Sequence, residues 1–298
     1  MRRRLLALVV VPLGVLGLLA GLAPLARGRT VIRVDRISGS SEAHFADQPG
    51  QPVFILVVGN DGRPGLEGAR GDAIHVIGVN PALGKATILD IPRDTFIPIP
   101  GHGRDKINAS FTFGGPALQA ATVTQLTGIP IGWVLTTNFD GFIGMVDELG
   151  GVDINVPYPM NDSFSGAVFA PGLQHMDGHA ALAFSRNRHL GDGDITRSYD
   201  QGLMILAALG KLRTDRGSPT KVMRDLAVLA RHTELHGVGL RDLYRFGQLG
   251  LSIDPANIRN VVMPWTVGYA GAASVVFVGP GADGLFADFR DNAVLDSH

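Results

Sequence analysis

The chain has 298 residues, of which 45% are hydrophobic and 18% charged, a composition typical of a folded globular protein rather than a disordered one. Its formal net charge is −1, so there is no overall basic field of the kind that nucleic-acid-binding proteins use. It contains no cysteine, which excludes disulfides, thiolate metal sites and cysteine nucleophiles. Any site for anions therefore needs a local concentration of arginine.

The N-terminus is an apolar, charge-free run over residues 5–26 that follows three arginines at positions 2–4. At about 1.5 Å per residue, such a run is long enough to cross a bilayer as a helix. We therefore expect a cytoplasmic stub at residues 1–4 and a single transmembrane anchor at residues 5–26, because leading arginines favour a cytoplasmic N-terminus. The alternative is a cleaved signal peptide, whose apolar region is usually about 7–15 residues long. Both interpretations place the remainder on the extracytoplasmic side of the membrane.

A polar, Gly/Pro-containing stretch at residues 27–52 is predicted to be a stalk. The remaining residues, 53–298, are predicted to form the extracytoplasmic domain. Short apolar runs at 53–59, 73–79 and 86–91 are typical of buried strands. The last two are separated by a segment short enough for a hairpin, so part of the sheet is expected to be antiparallel.

Further along, the same reasoning predicts an alternation of helices and strands. Helices are predicted at residues 116–127, 140–150, 177–184, 200–212, 221–232 and 240–249, and strands at 133–137, 152–156, 257–263 and 274–278. This alternation indicates an α/β or α+β sandwich around a mixed sheet.

Arginine and aspartate cluster in the loops that follow or precede the first three strands. If those strands pair, one sheet edge gathers Asp61, Arg63, Arg70, Asp72, Arg93 and Asp94. A second group lies at residues 185–197. The planar guanidinium suits phosphate, and aspartates near phosphate could hold Mg²⁺. The alternative is that each pair is an ordinary surface salt bridge worth little free energy.

Other patterns favour structure over function. The glycine-rich residues 279–284 match a dinucleotide-binding pattern, but too little chain follows for a second strand, so we expect a C-terminal turn there. Phe139 and Phe142 lie on predicted core elements and are expected to serve packing. No nucleophile-elbow or P-loop motif occurs, which argues against a serine hydrolase of that fold and a P-loop NTPase.

Six segments, taken together and in this order, resemble the LytR–CpsA–Psr family over residues 53–212. They are VVGNDGR at 57–63, RGDAIHV at 70–76, DIPRDTFIPIPGHGRDKINASFTFGG at 90–115, GFIGMVDELGGVDINV at 141–156, GLQHMDGHAALAFSRNR at 172–188 and DGDITRSYDQ at 192–201. Residues after 213 carry no motif that we can place.

The resemblance implies a membrane-anchored phosphotransferase of cell-wall assembly. Such enzymes move a glycopolymer from a polyprenyl-pyrophosphate carrier to a hydroxyl of peptidoglycan. The implied fold is an α–β–α sandwich around a central mixed β-sheet, with an apolar tunnel for the lipid. A pyrophosphatase acting on the same lipid, or a non-catalytic scaffold that binds polyprenyl phosphate, are the alternatives.

Matching motif to motif, the resemblance also implies roles for particular residues. The pyrophosphate would be bound by Arg70, Arg93, Arg186, Arg188, Arg197 and, less securely placed in the motif, Lys106. Asp61 and Asp72 would hold Mg²⁺, and Asp94 or Asp72 could accept a proton. Asp200 departs from the family pattern, since many members have a second arginine there. A carboxylate at that position implies either a different headgroup or a side chain that faces away.

Overall fold

The computed structural model describes residues 51–62, 68–188, 192–236 and 240–295. The predicted stub, anchor and nearly all of the stalk therefore lie outside the described residues. Within the described ranges, no helix combines the length and the apolar character needed to span a bilayer.

A six-stranded mixed sheet forms the centre of the fold, in the order β11-β6-β1-β2-β3-β12. Its strands are β1 (Val53–Asn60), β2 (Gly71–Asn80), β3 (Lys85–Asp90), β6 (Trp133–Thr137), β11 (Glu234–His236) and β12 (Ile258–Val262). The neighbours β1–β2, β2–β3 and β6–β11 are antiparallel, whereas β1–β6 and β3–β12 are parallel. The predicted hairpin between β2 and β3 is confirmed.

In the described part of the chain, four two-stranded units lie outside the main sheet. They are β4 (Phe96–Ile99) with β5 (Gly103–Lys106), β7 (Val152–Val156) with β10 (Gly172–Met176), β8 (Met160–Asp162) with β9 (Ala167–Phe169), and β13 (Trp265–Ala270) with β14 (Ala273–Val278). Of these strands only β7 and β14 are predicted from the sequence.

Seven α-helices occur in the described ranges. They are α1 (Ala109–Thr127), α2 (Phe139–Glu148), α3 (Gly178–Arg186), α4 (Asp194–Thr214), α5 (Pro219–His232), α6 (Leu240–Ser252) and α7 (Ala282–Asn292). A short 3₁₀ turn at Pro255–Asn257 precedes β12.

The helices cover both faces of the sheet, as the side-chain alternation along β1 shows. Leu56 and Val58 enter the main core with residues of α1 and α7, such as Phe289. Val53 and Ile55 point the opposite way and pack in a second cluster with residues of α5 and α6. Because successive side chains of a strand point to opposite faces, each face of this sheet needs its own apolar cover. The predicted α/β fold with a central mixed sheet is confirmed.

Three predicted element boundaries are wrong. Helix α1 starts at Ala109 rather than at 116, because it continues through a kink at Gly114 and Gly115, where Gly115 has φ 61°. Helix α4 starts at Asp194 rather than at 200, so Arg197 lies in a helix. The predicted C-terminal turn at 279–284 leads directly into α7.

Candidate active site at the sheet edge

The charged segments of the sequence meet at one edge of the sheet because of how its strands run. The carboxyl end of β1 pairs with the amino end of β2, where Gly59 faces Ala73. On its other side, Gly59 faces Thr137 at the carboxyl end of β6. The carboxyl end of β3 lies beside β2, where Asp90 faces His75. The loops after β1, β3 and β6 and the segment before β2 therefore all lie at this edge.

A β-bulge places Asp72 at this edge. Gly59 pairs with Ala73 and Asn60 pairs with Gly71, which leaves Asp72 as the extra residue on β2. Bulges bend a strand locally and re-aim a side chain. The Asp72 carboxylate is bound by Arg93 Nη1 at 2.5 Å and by Asn108 Nδ2 at 3.3 Å.

Arg93 is the centre of the charged cluster. Besides Asp72, its Nε lies 3.4 Å from Asp194 Oδ1 and 3.9 Å from Asp94 Oδ1. Burial by itself would lower the pKa of Arg93, but the carboxylates of Asp72 and Asp194 outweigh it and raise the pKa. The guanidinium is therefore a permanent cation, held in one place by residues from β2 and α4.

Arg197 is the most buried cation of the cluster, 5% exposed. Its Nη2 lies 2.5 Å from Asp194 Oδ1, one turn earlier on α4. Burial lowers its pKa to about 10. Arg197 Nε and Arg93 Nε are buried and make no hydrogen bond among the described residues, although Arg93 Nε lies 3.4 Å from Asp194 Oδ1. Unbonded buried N–H groups are costly, so these donors fit an anionic ligand.

These cations line a cavity of about 610 Å³, which lies between the sheet and helices α2, α3 and α4. Its lining also includes the apolar side chains of Val57, Phe139, Phe142, Leu182, Met204 and Ile205. Phe139 and Phe142, which we expected to serve only packing, therefore also contribute to the wall. A cavity lined by apolar side chains and arginines suits an amphiphile with an anionic headgroup.

The structure brings most of the predicted site residues to this cavity. Its lining includes Asp61, Asp72, Arg93, Arg186, Arg188 and Arg197. Arg186 also stacks over the Phe139 ring, 5.2 Å from its centroid. Arg188 Nη2 lies 3.7 Å from Asp194 Oδ1, so Asp194 holds three of the arginines together.

Three predicted residues lie outside the cavity wall. Asp94 and Lys106 form an ion pair of 3.1 Å beside Arg93. The Arg70 side chain is exposed, and its backbone contacts Asp61: the N–H donates to Asp61 Oδ1 at 2.7 Å and the carbonyl accepts from the Asp61 N–H at 3.2 Å. Arg63, which the sequence places near this edge, lies outside the described residues.

Asp61 and Asp72 fit the predicted Mg²⁺ in their chemistry. Both line the cavity from the paired ends of β1 and β2 and both offer carboxylate oxygens, the ligands that Mg²⁺ prefers. Among the described residues, no three histidine or acidic side chains are grouped closely enough to hold a metal by themselves. Two carboxylates suffice for Mg²⁺ only where phosphate and water oxygens complete the coordination.

Gln201 and His75 are among the cavity residues that the sequence did not identify. Gln201 donates from Nε2 to the Ser185 carbonyl, while its buried Oε1 has no hydrogen-bond partner among the described residues. His75 lines the cavity and its Nδ1 lies 2.7 Å from Asp90 Oδ1. The available signal was a histidine and an aspartate within apolar strands, where an ionisable residue needs a partner.

Asp200, the departure from the family pattern, faces away from the cavity. It is fully buried and accepts a hydrogen bond from the Tyr158 hydroxyl. Burial raises its pKa to about 7, and the nearby Asp90 contributes in the same direction. Burial likewise raises the pKa of Asp90 to about 6, against the opposing effect of His75. Asp200 therefore belongs to the interior between α4 and the sheet rather than to the cation cluster.

Comparison with known proteins agrees with this geometry. A model of the LytR_cpsA_psr family matches residues 26–282. The probable cell wall biosynthesis protein LcpB of Corynebacterium glutamicum is 30% identical over 97% of this chain and 74% of its own length.

Two further matches cover different shares of the chain. The polyisoprenyl-teichoic acid–peptidoglycan teichoic acid transferase TagU of Bacillus mycoides is 38% identical over 54% of this chain, and the match spans 53% of TagU. The solved structure of TagT bound to LIIa-WTA superposes with a TM-score of 0.72 and 22% identity, over 88% of this chain and 99% of that one. At this identity the superposition shows that the fold is shared.

Proposed function

The chain belongs to the LytR–CpsA–Psr family, and we propose that it is a phosphotransferase that moves a glycopolymer from a polyprenyl-pyrophosphate carrier onto peptidoglycan. The observation that carries this proposal is the cavity, whose lining combines apolar side chains with two arginines that each keep a buried Nε without a hydrogen bond among the described residues. The names of relatives support it, since TagU is named as a transferase of teichoic acid to peptidoglycan.

The two parts of the cavity suit the two parts of such a donor. The apolar wall would bury the first units of the polyprenyl chain, and the arginines would bind the pyrophosphate. Arg93, in the loop after β3, and Arg197, on α4, both contact Asp194 Oδ1. Bidentate guanidinium contacts from two directions would fix the orientation of both phosphates.

In the reaction, a hydroxyl of peptidoglycan attacks the sugar-proximal phosphorus. The bond from that phosphorus to the bridging oxygen breaks, its electron pair stays on that oxygen, and polyprenyl phosphate leaves. Charge spreads over the phosphate oxygens in the transition state, so catalysis rests on positioning and on electrostatic stabilisation by the arginines. Asp94 or Asp72 would take the hydroxyl proton. Both are paired with a cation, Asp72 with Arg93 and Asp94 with Lys106, but only Asp72 lines the cavity.

Asp61 and Asp72 would hold Mg²⁺, which when bound would neutralise negative charge on the pyrophosphate. We also propose that the domain lies on the extracytoplasmic side of the cytoplasmic membrane, anchored by residues 5–26. The three arginines before this apolar run support that orientation. The donor's lipid would lie in the same membrane.

The test uses the full chain in detergent with Mg²⁺, peptidoglycan fragments and a glycan on a short polyprenyl pyrophosphate. A glycan coupled to peptidoglycan through a phosphodiester is the expected product. Release of free glycan phosphate would instead identify a pyrophosphatase. Retention of intact lipid pyrophosphate without turnover would identify a binding scaffold.

A further inference from the structure

His75 joins an interior ion pair to the wall of the cavity. Its side chain is 2% exposed and lines the cavity, while Nδ1 is paired with Asp90, which is fully buried on the next strand. The only hydrogen bond of the His75 ring among the described residues is this one at Nδ1. The ring therefore has one nitrogen held by a carboxylate and a second, Nε2, free to contact a ligand.

His75 lies between the charged and the apolar residues that line the cavity. On the sheet, Ala73 faces Gly59 at the charged edge, and one step further in His75 faces Val57 of the apolar wall. On α4, the lining likewise changes with depth, from Arg197 through Gln201 to apolar residues. A lipid pyrophosphate seated with its chain along the apolar wall would bring its lipid-proximal phosphate to this junction.

We propose that His75 contacts the lipid-proximal phosphate of the donor and donates the Nε2 proton to it as the leaving group departs. This inference rests on the proposed function. When the bond between the sugar-proximal phosphorus and the bridging oxygen breaks, the electron pair moves onto that oxygen. The imidazolium proton passes to the departing phosphate, and the proton removed from the acceptor hydroxyl balances it after product release.

The groups that face His75 come from β1, β3 and α4. Asp90 bonds to the His75 ring from β3, and Asp200, bonded to Tyr158, lies near Asp90 on α4. Arg197 is the cation that α4 contributes to the same cavity. β1 opposes His75 with Val57, an apolar residue. A carboxylate on Nδ1 fixes the tautomer and stabilises the imidazolium, as in the histidine of a catalytic triad.

The experiment measures kcat for transfer against pH in the full chain, with the short polyprenyl-pyrophosphate glycan as donor. The variants are His75→Gln, Asp90→Asn and the control His102→Gln, an exposed histidine stacked on Phe113. We expect wild-type kcat to fall at alkaline pH as the donor proton is lost. We expect His75→Gln to lower kcat about 10²-fold at neutral pH and to remove this alkaline limb.

The variant Asp90→Asn distinguishes a His75 that donates a proton from a His75 with only a structural role. It keeps the ring but removes the carboxylate that stabilises its charge, so the alkaline limb should move to lower pH rather than disappear. The second measurement is the affinity for a short polyprenyl monophosphate, which should weaken at least several-fold in His75→Gln. His102→Gln should match the wild type in both measurements.

Circular dichroism melting shows whether each variant is folded. A folded His75→Gln protein with wild-type kcat and an unchanged pH profile would overturn the role of His75. If His75→Gln does not fold, an unshifted alkaline limb in Asp90→Asn overturns it instead. A wild-type chain that neither binds polyprenyl monophosphate nor turns over the donor would overturn the proposed function, and this inference with it.

Discussion

Arg93 owes its importance to being paired with carboxylates from three parts of the fold. Asp72 comes from β2, Asp194 from α4, and Asp94 is its neighbour in the chain. Such a network fixes a guanidinium in one orientation before substrate binds, and this preorganisation is what stabilises transition-state charge. Its Nε remains without a hydrogen bond among the described residues, as a phosphate-binding group requires.

We therefore expect Arg93→Ala to lower kcat for transfer by about 10²–10³-fold, since one preorganised donor to the transition state is lost. Steady-state kinetics with the lipid-linked donor measures this. The matched control is Arg104→Ala, because Arg104 is exposed on β5 and packs over Phe96, away from the cavity wall. Equal rates for the folded Arg93→Ala and Arg104→Ala proteins would remove Arg93 from the mechanism.

Asp200 is a buried acid whose protonation links stability to pH. Its pKa of about 7 in the folded state lies above the ordinary value of a carboxyl, because burial disfavours the charge. Between these two values the folded state holds a proton that the unfolded state has lost. Its contribution to stability is therefore fully present at low pH and is lost as the pH rises through about 7.

Asp200→Asn should remove this dependence while keeping an oxygen that accepts from Tyr158. In urea unfolding between pH 4 and 7, the wild type should lose up to about 1.4 kcal/mol per pH unit relative to the variant. Asp291→Asn, at an exposed position of α7, serves as the control. Parallel stability curves for Asp200→Asn and the wild type would show that Asp200 titrates normally in the folded protein.

Helix α7 packs so closely on β2 that one position of the strand has no room for a side chain. A Cβ on Gly78 would lie 2.6 Å from Phe289 Cζ and 3.0 Å from Ala293 Cβ. Both neighbours are fully buried, so neither can move aside without disturbing the core. Gly210 in α4 presents the opposite case, because nothing lies within 4 Å of a Cβ built there.

Two alanine substitutions should consequently have opposite effects on the free energy of unfolding. Gly78→Ala is expected to lower it by about 1–3 kcal/mol through overpacking. Gly210→Ala is expected to raise it by about 0.4–1 kcal/mol, since alanine restricts the unfolded chain and favours the helix. Chemical denaturation of both variants provides the measurement. A destabilised Gly210→Ala protein would contradict the open environment that the structure shows.

The segment without recognisable motifs completes the fold. β11 borders β6 on one side of the sheet and β12 borders β3 on the other. Helix α7 contributes Phe286 and Phe289 to the main core. Residues 213–295 therefore supply both outer strands and part of the cover of both faces, although the motifs end before them.

A chain truncated after Leu212 should accordingly fail to fold, even though it keeps every predicted site residue. It would expose two sheet edges and the apolar face that α7 covers. We expect no cooperative transition on thermal denaturation monitored by circular dichroism, whereas the full chain should show one. A cooperative transition in the truncated chain would show that residues 53–212 are an independent domain.

The main strands and most helices could be predicted because their signals are local. The apolar runs of β1, β2 and β3 and the capping of α2 by Asn138 depend on neighbours in the chain. The short hairpins were missed because three to six residues carry little pattern. The start of α1 was missed because Gly114 and Gly115, which usually end helices, here form a kink within one.

The sequence by itself determined the family, the mixed sheet and the set of arginines and aspartates that accompany its strands. Only the tertiary structure decided which of them reach the cavity. Asp72 lines it through a bulge, whereas Arg70 stays exposed and Asp94 is paired with Lys106. The tertiary structure also places the His75 ring beside Asp90 and orients the Asp200 side chain into the interior. The direction of a side chain depends on strand register and on the face of a helix, and long-range packing sets both.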